Sequence, residues 1–333
     1  MTETLFHAYT PLILWISLGL LIFRFLPPWL PHFLGRGLYW VGVPLQLVAL
    51  SRQSNQGEFH GIESLPLLAA IITFGAILVG LIITLLVLWV WKKILSQQIK
   101  PDSDESVASH WLDSPTQGSF LLSAVLGNTG FVGLAIAPSL IQNDVLNWVL
   151  LFSITHNVIG PYGVGVLIAS YFSHEQSSNR WWIQLRDLLT VPPLWAFILG
   201  ILTQQVVLPA AIESGLQASI NIVIACAFLL TGIRLAQLQN WQNLQLAFIP
   251  AFLRVVAIPL LVGLLTTLFL GLSGDRRLAM VLMSGMPSAF AGLILAEEYN
   301  LDSNLIASSI ILSTLLLLLV LPLWIAVFGS SQI

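Results

Sequence analysis

The sequence predicts an all-α membrane protein with about ten transmembrane helices in two inverted five-helix repeats. Three observations lead there. Of 333 residues, 57% are apolar and only 8% are charged, against about 45–50% and about 25% in an ordinary soluble domain. Charged side chains this sparse cannot cover a water-soluble protein of this size, which excludes a soluble enzyme. The apolar residues fall into ten long, continuous stretches. A transmembrane helix needs roughly 20 such residues, whereas a barrel would show alternating segments of about 10. Lastly, a polar interval at 173–187 divides the stretches five and five. An odd number per half gives the halves opposite orientations, the arithmetic of an inverted repeat.

The stretches lie at 8–26, 36–51, 65–95, 119–142, 145–172, 188–208, 212–237, 244–272, 277–298 and 303–328. The first is kept as a mature helix, because residues 1–10 carry Glu3 and no Lys or Arg, unlike the basic start of a signal peptide. The second is short and contains Pro44. A Ser-, Asp- and Gln-rich interval, 96–117, precedes the fourth, which holds Pro138. The sixth opens on Pro192-Pro193. Pro250, Pro259, Pro287 and Pro322 fall in the eighth, ninth and tenth. Each proline removes a backbone donor, and the freed carbonyls must face protein or water, not lipid. The chain thus reads as an N-terminal repeat (1–172), a cytoplasmic linker (173–187) and a C-terminal repeat (188–333).

Basic residues set the orientation. Arg24, Arg36, Lys92, Lys93, Lys100, Arg180, Arg186 and Arg234 sit in or beside loops that follow odd-numbered stretches, against Arg52, Arg276 and Arg277 on the other side. This predicts a multi-pass protein of the plasma (inner) membrane with both termini outside the cytoplasm. Trp89, Trp91, Trp111, Trp181, Trp182 and Trp241 lie near stretch ends, as interfacial anchors do. The net charge of −3 and the lack of a basic stripe exclude nucleic acid as a partner. A single cysteine, Cys226, excludes an intrachain disulfide and a thiolate metal cluster. No ATP-binding, dinucleotide, zinc-protease or nucleophile-elbow motif occurs, so no cofactor is expected.

Two small-residue clusters occupy corresponding places, fourth of five and ninth of ten: Gly127-Asn128-Thr129-Gly130-Phe131-Val132-Gly133 and Gly285-Met286-Pro287-Ser288-Ala289. Each leads into Gly-Leu, an apolar pair and Ala. Paired interruptions in matching stretches are the sequence pointer to a midplane binding site. At these residues the chain resembles the auxin efflux carrier family of membrane permeases. Leu295-Ala296-Glu297-Glu298-Tyr299, Ser313-Thr314-Leu315 and Leu38-Tyr39-Trp40-Val41-Gly42-Val43-Pro44-Leu45 fit the resemblance too. It implies broken helices 4 and 9 crossing near the substrate, elevator-like motion of a transport domain against a scaffold, and carriage of small organic anions. Two positions depart from the family pattern. Ala291 stands where the family usually has Asn, and Ala225 stands near the place of a family proline. The long hydrophilic loop of the plant hormone exporters is absent, so auxin itself is not the expected substrate.

The candidate substrate-binding residues are Asn128, Thr129, Gly130, Pro138, Pro287 and Ser288. Asn128 offers donors and an acceptor for a carboxylate or a helix end; the plainer role is interhelical glue worth about 0.6 kcal/mol. Pro138 and Pro287 are candidate crossover prolines, with ordinary kinks as the alternative. Ser288 would bond a ligand or the preceding turn. His156 and Asn157 inside the fifth stretch, Arg254 inside the eighth and Glu297 at the end of the ninth are candidates for proton or other ion coupling. For each a structural role competes: a hydrogen-bond partner for His156, pairing with helix-end carbonyls or a carboxylate for Arg254, and simple solvation for Glu297.

The expected function is secondary active or facilitative transport of a small organic anion by alternating access, without catalysis. The expected partners are the solute, the lipid bilayer and a coupling ion, with a homodimer as a possible assembly. The alternatives are an intramembrane enzyme using His156 as base, and a non-transporting membrane receptor.

Overall fold

The computed structural model describes residues 2–27, 29–53, 67–98, 113–173, 192–237 and 242–329, almost all of them helical. Most of the linker at 173–187, with Lys100, Trp111, Arg180, Trp181, Trp182, Arg186 and Trp241, lies outside the described residues.

Helix α1 (Thr2–Ile22) ends in a 3-10 turn, Phe23–Phe25. Helix α2 (Leu30–Gly37) continues through a π-helical turn, Leu38–Gly42, into α3 (Val43–Gln53). This rod begins at Leu30 and not at residue 36. Pro31 lies in its first turn, where the missing N–H is no loss, and His32 and Arg36 are exposed at its end. Helix α4 (Leu67–Gln98) is apolar around its whole circumference. Helix α5 (Ser114–Val125) starts earlier than residue 119. Its polar residues Thr116, Gln117, Ser119 and Ser123 are buried among other helices, so they do not end the segment as they would in lipid.

Helix α6 (Leu146–Ile159) passes through a π-helical turn, Gly160–Gly165, into α7 (Val166–Phe172). Pro161 has no N–H to give inside this rod, and such a gap is one way the ladder is widened. Then come α8 (Pro192–Leu202) and α9 (Ala210–Gln237). Helix α10 (Gln242–Phe252), a π-helical turn (Leu253–Ala257) and α11 (Ile258–Leu270) form another rod. It stops at Gly271, whose φ of 62° is left-handed and suits glycine. Helices α12 (Gly274–Ser284), α13 (Phe290–Glu298) and α14 (Ser303–Phe328) complete the described chain. Asp302 caps α14 by accepting the Leu305 N–H at 3.0 Å.

Among the described residues six stretches are long and apolar enough to cross a membrane: Leu30–Arg52, Leu67–Ile94, Leu146–Phe172, Ala210–Gln237, Leu244–Leu270 and Ser303–Phe328. Tyr9–Phe25 is a shorter apolar helix. The fourth and ninth sequence stretches are each split in two, so neither contains one unbroken helix of spanning length. Large apolar side chains face outward, among them Leu21, Phe25, Trp89, Leu268 and Leu319. So much outward apolar surface is stable only in lipid. The chain is a multi-pass, all-α integral membrane protein.

The helices gather into two bodies. In the first, α1 lies along α9, α8 along α3, and α9 against α2 and α3. In the second, α4 packs on α5, α6 and α11, and α14 packs on α10, α12, α13 and α5. The α1–α9 contact is backbone to backbone. A Cβ at Gly19 would overlap the Leu229 carbonyl oxygen, and one at Gly232 would overlap that of Ile16. Small residues permit such approach, and packing of this kind drives association in lipid. Gly232→Leu is expected to force α1 off α9 at a cost of about 1–3 kcal/mol, seen as a lower Tm of the detergent-solubilised protein. Gly37→Ala, where a Cβ meets open space, is expected to leave Tm nearly unchanged.

Candidate functional site

The site is built on two interrupted helices of the second body. Helix α5 ends at Val125, and Leu126 turns extended at φ −87° and ψ 116°. Asn128 restarts the helix. Its side-chain oxygen accepts the Phe131 N–H at 3.2 Å, and its carbonyl accepts Val132 and Gly133 N–H at 3.2 and 3.1 Å. The new helix begins as a π-helical turn, Thr129–Gly133. On the other side α12 ends at Ser284, the chain is non-helical from Gly285 to Ala289, and α13 begins at Phe290.

The two unwound segments run antiparallel through one another. The Asn128 N–H donates to the Pro287 carbonyl at 2.7 Å, and the Ala289 N–H donates to the Leu126 carbonyl at 2.9 Å. This is a single antiparallel bridge, Gly127 opposite Ser288. It satisfies backbone groups that the breaks set free, which nothing in lipid would do. Ser288 ties the crossing down. Its hydroxyl donates to the Ser123 carbonyl at 2.7 Å, and its N–H donates to the Ser313 hydroxyl at 3.0 Å.

Arg254, in the π-helical turn between α10 and α11, reaches into the crossing and is 3% exposed. Its Nε donates to the Met286 carbonyl at 2.9 Å, and one Nη donates to the Val125 carbonyl at 3.0 Å. Val125 is the last residue of α5 and Met286 lies two residues past α12, so both carbonyls sit at helix C-terminal ends, where the backbone carries partial negative charge. The guanidinium lies against the Gly127 Cα, where any Cβ would overlap it. Its second Nη has no hydrogen-bond partner among the described residues. Of the expected pairings with a carboxylate or with helix-end carbonyls, Arg254 makes the second.

His156 is 1% exposed. Its Nε2 accepts the Gly127 N–H at 3.4 Å, its ring stacks on Phe152 with centroids 6.2 Å apart, and its Nδ1 has no partner among the described residues. Asn157 donates to the Ser153 hydroxyl at 3.2 Å. It fills the space beside Gly130, where a Cβ would lie 2.9 Å from its amide nitrogen.

A cleft lies between the two bodies at this crossing. Its polar wall is Gln46, Asn128, Asn157, Tyr162, Arg234 and Glu297, and the rest is mainly apolar, including Leu47, Phe131 and Phe290. Gln46, on α3, donates to the Gly130 carbonyl at 3.0 Å across the cleft. Of the expected site residues, Asn128, Gly130, Asn157 and Glu297 line the cleft. Thr129, Ser288, His156 and Arg254 are buried behind its wall. Pro287 supplies a carbonyl to the crossing.

Pro138 does not mark a crossing. The break falls at Leu126–Asn128, and Pro138 lies in a 3-10 turn, Ala137–Ser139, at the far end of the restarted helix. A side-chain cap from Asn128 and the glycines around it open the helix without proline. Gln46, Tyr162 and Arg234 were not among the expected site residues. Gln46 had a visible signal, an amide in an apolar stretch. Tyr162 had one as well, a Gly-Pro pair just before it. Arg234 reads from sequence only as a loop cation. Among the described residues no three His, Cys, Asp or Glu come together to hold a metal.

Comparison with known proteins bears on this arrangement. A family model described as membrane transport protein matches residues 58–325. An uncharacterized transporter from Methanothermobacter thermautotrophicus is 28% identical over 217 residues, covering 64% of this chain and 68% of its own length. An uncharacterized transporter from Methanocaldococcus jannaschii is 26% identical over 212 residues, covering 62% of this chain and 67% of its own. The match spans both interrupted helices and most of the chain, and the chain therefore belongs to the membrane transport protein family, that of the auxin efflux carriers.

Proposed function

We propose that this transporter carries a small organic anion by alternating access, with the solute held in the cleft beside the crossing. The observation that carries this reading is the antiparallel contact of Leu126–Asn128 with Pro287–Ala289. It leaves the restarted helix after Asn128 and α13 each presenting an N-terminal end toward the cleft. Helix N-termini carry partial positive charge and free N–H groups. Arg254 behind the crossing adds a full positive charge in a region of low dielectric. The Asn128 and Asn157 amides and the Tyr162 hydroxyl offer hydrogen bonds, and the apolar remainder suits a carbon skeleton. Ala291, where the family pattern has Asn, is part of this wall, so the solute makes one polar contact fewer there.

The two-body arrangement supports a moving unit. The first body takes its helices from stretches 1, 2, 6 and 7, and the second from stretches 3, 4, 5, 8, 9 and 10. In chain order stretches 1 and 2 correspond to 6 and 7, and 3, 4 and 5 to 8, 9 and 10, which supports the reading of an inverted repeat. Contacts at the ends follow the same alternation. Arg52 meets Glu213 and the Gln142 N–H meets Asp275 on the predicted outer side, while Arg234 meets Glu297 on the predicted cytoplasmic side. An intramembrane enzyme gains no support, because His156 spends its Nε2 on a backbone N–H and not on a nucleophile.

The test is uptake of labelled mono- and dicarboxylates into proteoliposomes. The wild type is expected to move at least one acid. Asn128→Ala is expected to lower that rate roughly tenfold, the effect of losing a polar contact and a helix cap together, with expression and folding retained. Pro287→Ala is expected to lower it by a smaller factor. Wild-type rates in both variants would sink the site assignment.

A further inference from the structure

We propose that Arg234 receives the anionic group of the solute, and that Glu297 occupies it until the solute arrives, so that binding releases a latch between the two bodies. This rests on the transport reading above and names the residue that would read the charge.

Among the described residues that line the cleft, Arg234 is the cation and Glu297 the anion. Arg234 stands on the last turn of α9, in the first body. Glu297 stands at the end of α13, in the second. Their closest atoms, Nη2 and Oε1, are 3.7 Å apart. The other Glu297 oxygen lies 3.6 Å from His32 Nδ1, on α2 of the first body. One carboxylate therefore bridges two helices of one body from a half-helix of the other.

Three features fit a pair made to be exchanged. Both distances exceed the roughly 2.7–2.9 Å of a tight charge-assisted hydrogen bond. The side chains keep 23% and 34% of their exposure, so neither charge has lost all its water, and such pairs are individually weak. Arg234 is also under-used. One Nη donates to Gln237 at 3.3 Å, while Nε is buried with no partner among the described residues. A solute carboxylate entering the cleft would take Nε and Nη2 together in the two-pronged geometry that arginine favours. Exchange of one carboxylate for another leaves the charge on Arg234 paired, so the half-buried guanidinium is not left without an anion. Glu297, once displaced from Arg234, is left to meet the first body through His32 at 3.6 Å, an exposed contact too weak to hold α13 in place.

The experiment measures distances between spin labels in a Cys226→Ser background, one on Gly37→Cys in the first body and one on Glu298→Cys in the second. Both sites are exposed. Without solute, the protein is expected to show one dominant short distance. Glu297→Gln and Arg234→Gln should each populate a longer one. The exchanged pair Arg234→Glu with Glu297→Arg should restore the short distance. Acetate, succinate and benzoate serve as probes, and at least one should lengthen the distance in the otherwise unaltered protein but not in Arg234→Gln. In vesicles, Glu297→Gln should lower the half-saturating concentration of a transported acid roughly fivefold, because the internal competitor is gone.

Unchanged distances in both single variants would overturn the latch. Distances that respond to the variants but to none of the three acids would overturn Arg234 as the anion receiver. Failure of the transport reading looks different: the variants open the latch, yet vesicles with unaltered protein accumulate no acid.

Discussion

Replacing Arg254 with Met is expected to abolish transport and to destabilise the protein more than any other single change considered. The side chain donates to two carbonyls, Met286 and Val125, at 2.9 and 3.0 Å. Neither carbonyl can turn to water, since Val125 and Met286 are both fully buried. Leaving a buried acceptor unpaired costs about 1–3 kcal/mol, and two are orphaned together. Met fills much of the volume, so the loss measures the bonds and the charge more than a cavity. Arg254→Lys keeps the charge but has no rigid fork to span both carbonyls. It is expected to fall between the wild type and Arg254→Met in both Tm and uptake. If Arg254→Met melts and transports as the wild type does, the crossing does not depend on this side chain.

The second large effect is expected at Gly127. Any side chain there enters the space of the Arg254 guanidinium. Gly127→Ala must push the arginine from its carbonyls or push apart the two unwound segments, and either breaks the bridge opposite Ser288. Transport is expected to fall roughly a hundredfold, in line with small misplacements of positioning groups. Because both changes act on one network, their effects should not add. The double variant Gly127→Ala with Arg254→Lys is expected to be no worse than the poorer single variant. Additive losses would show that the two residues act separately. Gly130→Ala provides a milder comparison, since it meets the Asn157 amide, the end of a side chain that can swing.

Much of the architecture is legible in the chain because lipid imposes a simple rule. A spanning segment must be apolar and must satisfy its own backbone, so long apolar stretches such as Leu67–Ile94 and Ser303–Phe328 announce themselves. The rule weakens where a segment touches no lipid. Helix α5 is buried from Pro115 onward, so Thr116 and Gln117 are allowed inside it, and it starts earlier than its apolar pattern predicts. The small-residue clusters identified both interruptions for a related reason: glycines and a short amide that caps the restart open the first, while Gly285 and Pro287 open the second, where no side chain caps the restart. Pro138 misled because proline in a membrane helix has several uses, and here it closes a turn at the end of a half-helix.

The sequence alone determined that this is a helical membrane protein interrupted at two places, because apolarity and small-residue spacing are local properties. Only the tertiary structure decided that the interruptions bond to one another, that Arg254 braces them, and that Arg234 faces Glu297 across a cleft. Those relations join residues far apart in the chain, and the physical reason they escape the sequence is that a buried polar group is explained by the partner it meets, which no spacing along one helix encodes.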